Sequence, residues 1–305
     1  MRIVRDAVRV QVPATSANLG PGFDAFGLAL AMHDVVEVRA TTGATHTTVI
    51  GEGAGVVPGD ENHLVVKAIR TGLEVAGAPQ AGLELRAHNT IPHGRGLGSS
   101  AAAVVAGLVL ARGMISDQEA LSNEVVLALA SEWEGHPDNA AAALLGGATL
   151  AWSQQARGID EEEITIEATR LAVDPALVCT VMIPTSAVAT KVARSVLPPT
   201  VPHADAAFTA GRAALLVLAL AGREDLRLAA TEDVLHQPYR REVLASSMAL
   251  VGRLRAMGLP AVISGAGPTV LVLGAVSQGL AVAISHEGWS VRELDVDHDG
   301  ARLLD

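Results

Sequence analysis

The sequence predicts an α+β protein of two domains, and three observations carry that prediction. Half of the 305 residues are apolar, which is enough for one large or two mid-sized cores. Segments with strand and helix periodicity follow one another without the regular strand–helix alternation of a doubly wound parallel sheet. A polar run at 154–163, with Gly158 and three consecutive glutamates, then separates two halves that each contain strands and helices. The expected division is 1–158 and 159–305, and the acidity of the run reads as a solvated face.

In the first half, Val8–Val12, Asp34–Arg39, Thr45–Ile50 and Leu83–His88 alternate apolar with polar residues or are β-branched, so each is expected as a strand. Leu64–Val75 has helical spacing, and a second helix is expected over Ser99–Arg112. Ser116-Asp-Gln-Glu119 reads as a capping box opening a third helix to about Trp133. Gly147–Trp152 returns to strand. In the second half strands are expected near Ile164–Ala168, Val178–Ile183, Ala261–Ser264, Val270–Leu273 and Val291–Asp295. Helices are expected near Ala187–Val196, Ala204–Ala221, Arg241–Met257 and Gln278–His286, with Pro198, Pro199 and Pro202 breaking the first from the second.

Composition excludes several functions. The apolar runs Ala101–Ala111 and Ala213–Gly222 are shorter than the roughly 20 residues that span a bilayer, so no membrane span is expected. Charges interrupt every apolar cluster near the N-terminus, so no signal peptide is expected and a cytoplasmic location is the default. Cys179 is the only cysteine, which rules out an internal disulfide and a thiolate metal cluster; it reads as a small buried hydrophobe. A formal charge of −11 and sparse aromatics argue against nucleic acid as a partner.

Three motifs carry chemistry. The stretch Ile91-Pro-His-Gly-Arg-Gly-Leu-Gly-Ser-Ser100 leads into an alanine-rich helix. Its glycines allow close backbone approach, and the helix start offers unpaired N–H groups, so it reads as a cradle for an anion such as phosphate. The loop is neither a Walker A sequence nor a GxGxxG fingerprint. Pro13-Ala-Thr-Ser-Ala-Asn-Leu-Gly-Pro-Gly-Phe-Asp24 is a polar turn directly after a strand, and Ile263-Ser-Gly-Ala-Gly-Pro-Thr269 lies between two apolar strands.

In this order the motifs resemble those of the GHMP kinases, small-molecule kinases acting on galactose, homoserine, mevalonate and phosphomevalonate. Within that superfamily PATSANLGPGFDAFGLAL, IPHGRGLGSSAAA, EGHPDNAAAALLGG, TKVARSVL, HQPYR and ISGAGPT are similar to the homoserine kinase signatures. The resemblance spans nearly the whole chain. It implies a ribosomal-S5 domain 2-like N-terminal domain, a ferredoxin-like C-terminal domain and an active site between them. It further implies transfer of the γ-phosphoryl group of ATP, with Mg²⁺, to the hydroxyl of L-homoserine in threonine biosynthesis, and a homodimer is what the family suggests. The nearest alternatives are another GHMP kinase, such as a mevalonate kinase, and a non-catalytic nucleotide-binding regulator of the same fold.

Residue by residue, the resemblance assigns Pro92, His93, Gly94, Arg95, Gly96, Leu97, Gly98, Ser99, Ser100, Ala101 and Ala102 to the nucleotide, chiefly through backbone N–H groups. Asn62 matches a residue on the adenine side, although it also suits an ordinary helix N-cap. Ser100 is expected on Mg²⁺, with Ser99 as fallback and plain helix capping as the alternative for both. Glu134 is expected as the carboxylate ligand, and Glu132 is the competing choice because two residues apart on a helix they face different ways. Arg194 and Arg240 match arginines near the substrate carboxylate, which a guanidinium can grip through two parallel bonds; a merely solvated arginine is the alternative for Arg240. Asn18 and Asp24 match the substrate-binding pair, with Asp24 and Thr190 beside the hydroxyl. His136 and Asn139 line the transfer centre, His136 being equally readable as a structural histidine. No true general base stands out: the family alignment puts Asn139 closest to the position of the base in mevalonate and galactose kinases, with Asp138 adjacent and its direction open.

Overall fold

The first strand, β1 (Ala7–Ala17), alternates exposed and buried residues over its first half and becomes fully buried from Val12 onward. The change marks where it leaves an open sheet face and runs under the rest of the molecule. The structure, a computed structural model, describes residues 1–155 and 164–305. The expected junction and its 158/159 division therefore fall on residues outside the described ones.

β1 pairs antiparallel with β2 (Phe26–Thr41), with a bulge at Pro13/Ala14. The far half of β2 pairs with β4 (Gly82–Asn89), and β3 (His46–Gly51) adds to β4 in parallel. The near half of β2 pairs with β5 (Ala148–Gln155), which carries β6 (Ile164–Leu171). The last strand, β11 (Arg302–Leu304), returns to the outer edge of β1, so the seven-stranded sheet contains both ends of the chain.

Helices cover one face of this sheet. α1 (Leu64–Val75) is amphipathic, whereas α2 (Ser99–Met114) buries twelve of its sixteen residues because it is enclosed on nearly every side. α3 (Asn123–Glu134) and α4 (Asp138–Leu145) complete the layer.

The second sheet is antiparallel and four-stranded: β7 (Val178–Pro184), β8 (Ala261–Ile263), β9 (Val270–Val272) and β10 (Trp289–Asp295) lie in the order β10-β7-β9-β8. Numbered within this half, that order is 4-1-3-2, the ferredoxin-like arrangement. Its helices are α5 (Thr190–Ser195), α6 (His203–Leu220), α7 (Arg227–Ala230), α8 (Ala245–Ala256) and α9 (Gln278–His286). β7 lies between two cores: Cys179, Val181 and Ile183 join the large one and Met182 the smaller one under α8 and α9. Cys179 is fully buried, and burial pushes its thiol up to about 12, so it is the inert hydrophobe expected.

Several expectations change. The helix after α2 is not opened by Ser116: Asp117 caps a short turn at Gln118–Leu121, and Ser122 caps α3, accepting from Val125 N at 3.5 Å. α5 is shorter than its predicted span. α8 starts at Ala245 because Pro238–Arg240 forms its own turn. α6 has the length and composition of a membrane span, with a mean hydropathy of 1.2, which inspection of apolar runs did not flag. Here it lies against the fold through Thr209, Leu216, Ala219 and Leu220, while its Arg212 pairs with Glu232 at 2.7 Å.

Candidate active site

The loop between β1 and β2 has three non-glycine residues in the left-handed region: Asn18 (φ 71°), Leu19 (φ 48°) and Asp24 (φ 55°). Side chains rarely adopt this conformation, so something must hold them there. Asn18 does so from both ends of its amide, accepting from Asp24 N and donating to Gly265 O, each at 2.9 Å. His236 Nε2 donates to Gly20 O at 2.7 Å. Gln237 accepts from Ile263 N at 2.7 Å, and Arg240 donates to Gly265 O at 2.9 Å and Ala193 O at 3.2 Å. The HQPYR segment thus ties the first motif, the third motif and α5 together.

The glycine loop ends at Gly98, which precedes α2 with φ 69°. A side chain there would collide with Thr15 Oγ1, and one at Gly96 would collide with Ser264 O, so both glycines serve close approach between segments. No side chain caps α2, and neither Ser99 nor Ser100 acts as its N-cap. Gly98, Ser99 and Ser100 at its start line the cleft, where the helix dipole favours an anion by roughly 0.3–1 kcal/mol, or about 2 when desolvated. Ser100 Oγ instead donates to Glu134 Oε1 at 2.6 Å. A hydroxyl and a carboxylate side by side form a hard oxygen pair of the type Mg²⁺ takes. Glu132 faces a separate cavity, away from Ser100.

Across the cleft, Arg194 Nη1 donates to Asp24 Oδ2 at 3.1 Å and its Nη2 makes a second bond to Oδ1, a two-pronged grip. The pair is about one-third exposed. Arg240 is 1% exposed, so it is no solvated arginine. Burial, reinforced by the charge of Arg194, pushes its guanidinium down to about 10, still charged at neutral pH. The ring of Phe23 lies beneath both arginines, 5.5 Å from Arg194 and 5.8 Å from Arg240, and stacks on His236 at 5.0 Å.

At the start of α4, His136 Nδ1 lies 2.6 Å from Asp138 Oδ1. Burial pulls the imidazole down, but the hydrogen bond and charge of Asp138 outweigh it, and His136 is held above the usual histidine range. Asp138 also accepts from Asn139 N at 2.7 Å, and Thr15 Oγ1 donates to Asn139 Oδ1 at 2.7 Å. Asp138 therefore points into the site and orients two neighbours. Asp24, His136 and Asp138 bring potential metal-ligand atoms within 4.8 Å of one another, but Arg194 and His136 already occupy the carboxylates.

Asp24 lies in the wall of the cavity beside Glu132, and a cleft of about 110 Å³ is lined by Asn18, Ser100, Glu134, His136, Thr190, Arg194 and Arg240. A more apolar cavity of about 310 Å³ adjoins it and shares Ser99 and Ser100. Asn62 lines that second cavity, but the N-cap of α1 is His63, whose Nδ1 accepts from Val65 N at 3.3 Å. Leu97, Ala101 and Ala102 are fully buried, so their side chains serve packing. Sequence reasoning missed Thr15, Phe23, Asp34 and His63. Asp34 lines the second cavity and accepts from Thr90 N and Ile91 N, yet burial raises its carboxyl above the ordinary range. Thr15 and Phe23 lie inside the first motif, and only that position could have signalled them.

The fold and the uncapped helix behind a glycine loop define the class of small-molecule kinases named GHMP, and residues 63–147 match the GHMP kinases N-terminal domain. The chain is 51% identical to a homoserine kinase from Streptomyces avermitilis, over 98% of this chain and 96% of that protein. It is 50% identical to one from Streptomyces coelicolor, over 98% and 94% respectively. The crystal structure of homoserine kinase from Cytophaga hutchinsonii superposes with a TM-score of 0.80 at 28% identity, covering 99% of this chain and 98% of that one. A mevalonate diphosphate decarboxylase from Staphylococcus aureus, at 16% identity and a TM-score of 0.61 over 98% of both chains, shares the fold alone. The chain belongs to the homoserine kinase family.

Proposed function

We propose that this kinase transfers the γ-phosphoryl group of ATP to the side-chain hydroxyl of L-homoserine, giving O-phospho-L-homoserine and ADP, in the cytoplasm. The observation that carries this reading is the convergence, on one small polar cleft, of the uncapped α2 N-terminus with Thr190, Arg194 and Arg240, while Asp24, in the wall of the neighbouring cavity, is bonded to Arg194. The adjoining apolar cavity suits the nucleoside, with Asn62 and His93 at its wall. Homoserine is a short zwitterion bearing a hydroxyl, and its carboxylate requires a planar cation.

Phosphoryl transfer asks the protein mainly for alignment and charge stabilisation. Backbone N–H groups over Gly94–Ser100 would hold the phosphates. Ser100 and Glu134 would hold Mg²⁺, which neutralises charge building on the phosphates. Arg194 and Arg240 would receive the homoserine carboxylate; in the free chain Asp24 fills the Arg194 fork and keeps that arm folded in. Asp24 and Thr190 would then hold the hydroxyl, while Asn18 fixes the backbone of Asp24. His136 and Asn139, oriented by Asp138 and Thr15, would wall the transfer centre. Division into two domains, with the junction near 158/159, fits this cleft.

The test is ADP formation in the presence of Mg²⁺ with homoserine, mevalonate and galactose assayed in parallel. Turnover with homoserine alone supports the reading. Turnover with either of the others but not homoserine overturns it.

A further inference from the structure

Arg95 lies in the middle of the phosphate loop, where an arginine would be expected to reach toward phosphate. Its side chain turns the other way. Nη1 donates to His93 O at 2.8 Å within the loop, while Nε donates to Pro184 O at 3.1 Å and Nη2 to Thr185 O at 2.8 Å. Among the described residues no carboxylate pairs with it, so its guanidinium is spent on three backbone carbonyls. Two of these belong to the segment that leaves β7 and runs into α5, the helix carrying Thr190 and Arg194.

Backbone bonds complete the seam. Val188 N donates to Gly94 O at 3.0 Å, Thr269 N donates to Arg95 O at 3.2 Å, and Ser264 Oγ donates to Gly96 O at 2.6 Å. Every residue from Gly94 to Gly96 is therefore bonded to the C-terminal half. Gly94, Gly96 and Gly98 line the cleft, and Gly94 and Arg95 hold the lead-in to α5, while Gly96 is held by Ser264. A shift of the loop on taking up phosphate reaches residues 184–188 through the two Arg95 side-chain bonds and the single Gly94–Val188 backbone bond, and from there α5.

We propose that Arg95 is a positioning residue that couples nucleotide binding to placement of Thr190 and Arg194, so that ATP and homoserine strengthen each other's binding. The inference rests on the reading of the two cavities given above. It requires reciprocity: whatever factor ATP confers on homoserine affinity, homoserine confers on ATP.

The experiment uses the full chain and a non-hydrolysable ATP analogue with Mg²⁺. Dissociation constants for analogue and for homoserine are measured alone and together in the wild type, Arg95→Met and Arg95→Lys. The wild type should show mutual enhancement of about fivefold or more. Arg95→Met should lose most of the enhancement, read as the ratio of its own paired and separate affinities whatever those separate values are, and Arg95→Lys, which can reach fewer carbonyls, should fall between. Hydrogen exchange supplies a readout that does not need homoserine. The analogue should slow exchange over 184–195 in the wild type and fail to do so in Arg95→Met. No enhancement and no slowing in the wild type, or both surviving in folded Arg95→Met, overturns the proposal. Should homoserine fail to bind the wild type, the substrate reading fails, and the exchange result alone decides whether Arg95 couples the loop to α5.

Discussion

Replacing Arg240 with methionine removes the charge while keeping an unbranched side chain in a site that is 1% exposed. The guanidinium makes two hydrogen bonds, but they are not equivalent. Gly265 O keeps a second donor in Asn18 Nδ2, whereas Ala193 O on α5 loses its side-chain partner. On the proposed placement, loss of a charged contact to the homoserine carboxylate adds to this, and hydrogen bonds to charged groups contribute about 1.5–3 kcal/mol. The specificity constant for homoserine should therefore fall by about tenfold to somewhat over a hundredfold, with the Michaelis constant for ATP changed by less than about threefold. Global stability should change little, because burial that holds the guanidinium down to about 10 is itself a cost the variant no longer bears. Initial rates over a matrix of both substrates, with a urea denaturation curve for each protein, measure all three quantities. A variant that uses homoserine normally, or loses ATP affinity by the same factor, refutes the placement of Arg240.

The remaining predictions concern its neighbours. Glu134→Gln should raise the Mg²⁺ concentration needed for half-maximal rate, with Glu132→Gln near wild type; the reverse pattern moves the ligand to Glu132. Arg194→Ala should weaken homoserine use much more than ATP binding, by about tenfold or more in the specificity constant, and the opposite split in a substrate matrix removes it from the carboxylate site. Asp138→Asn should lower the His136 titration midpoint followed by NMR, since Asp138 is what holds it up. Because the folded value lies above the unfolded one, protonated His136 stabilises the native state below the ordinary histidine range, and that contribution vanishes as pH rises through the folded value. The stability gap between wild type and Asp138→Asn should accordingly be widest in acid and narrow toward alkaline pH, and a gap independent of pH counts against the pair. Asp24→Asn should retain measurable turnover and Asp24→Ala less, since Asn keeps one acceptor. Equal and complete loss in both, with ATP binding intact, makes charge or basicity the requirement.

Elements with a clean period were legible in the sequence. The predicted bounds of α1 and α9 match the structure because α1 has one apolar stripe and α9 opens on Ser277 as N-cap. The near half of β2 was not legible: Phe26–Leu30 is buried on both sides, which leaves a continuous apolar run with no alternation to count. α4 escaped because its alanines are buried all round and offer no polar face. β11 is short and half-buried, and its pairing with β1 joins residues from opposite ends of the chain. The motif residues were found through their wording, whereas Asp138 and Asp34 act through bonds to neighbours, and their partners could be read only from the folded chain.

The strained loop between β1 and β2 gives the site a further property. Asn18, Leu19 and Asp24 each occupy a left-handed conformation that costs of order 1–3 kcal/mol, and the bonds that offset it reach Gly265 and His236 in the other half of the molecule. Bonds within the loop, such as Asn18 N to Phe26 O and Gly22 N to Asn18 O, are thus supplemented by bonds from the C-terminal half. The same seam sets Arg194 against Asp24 and buries Arg240. If these are the substrate groups proposed above, a change that loosens the seam should cost homoserine binding before it costs the fold of either sheet.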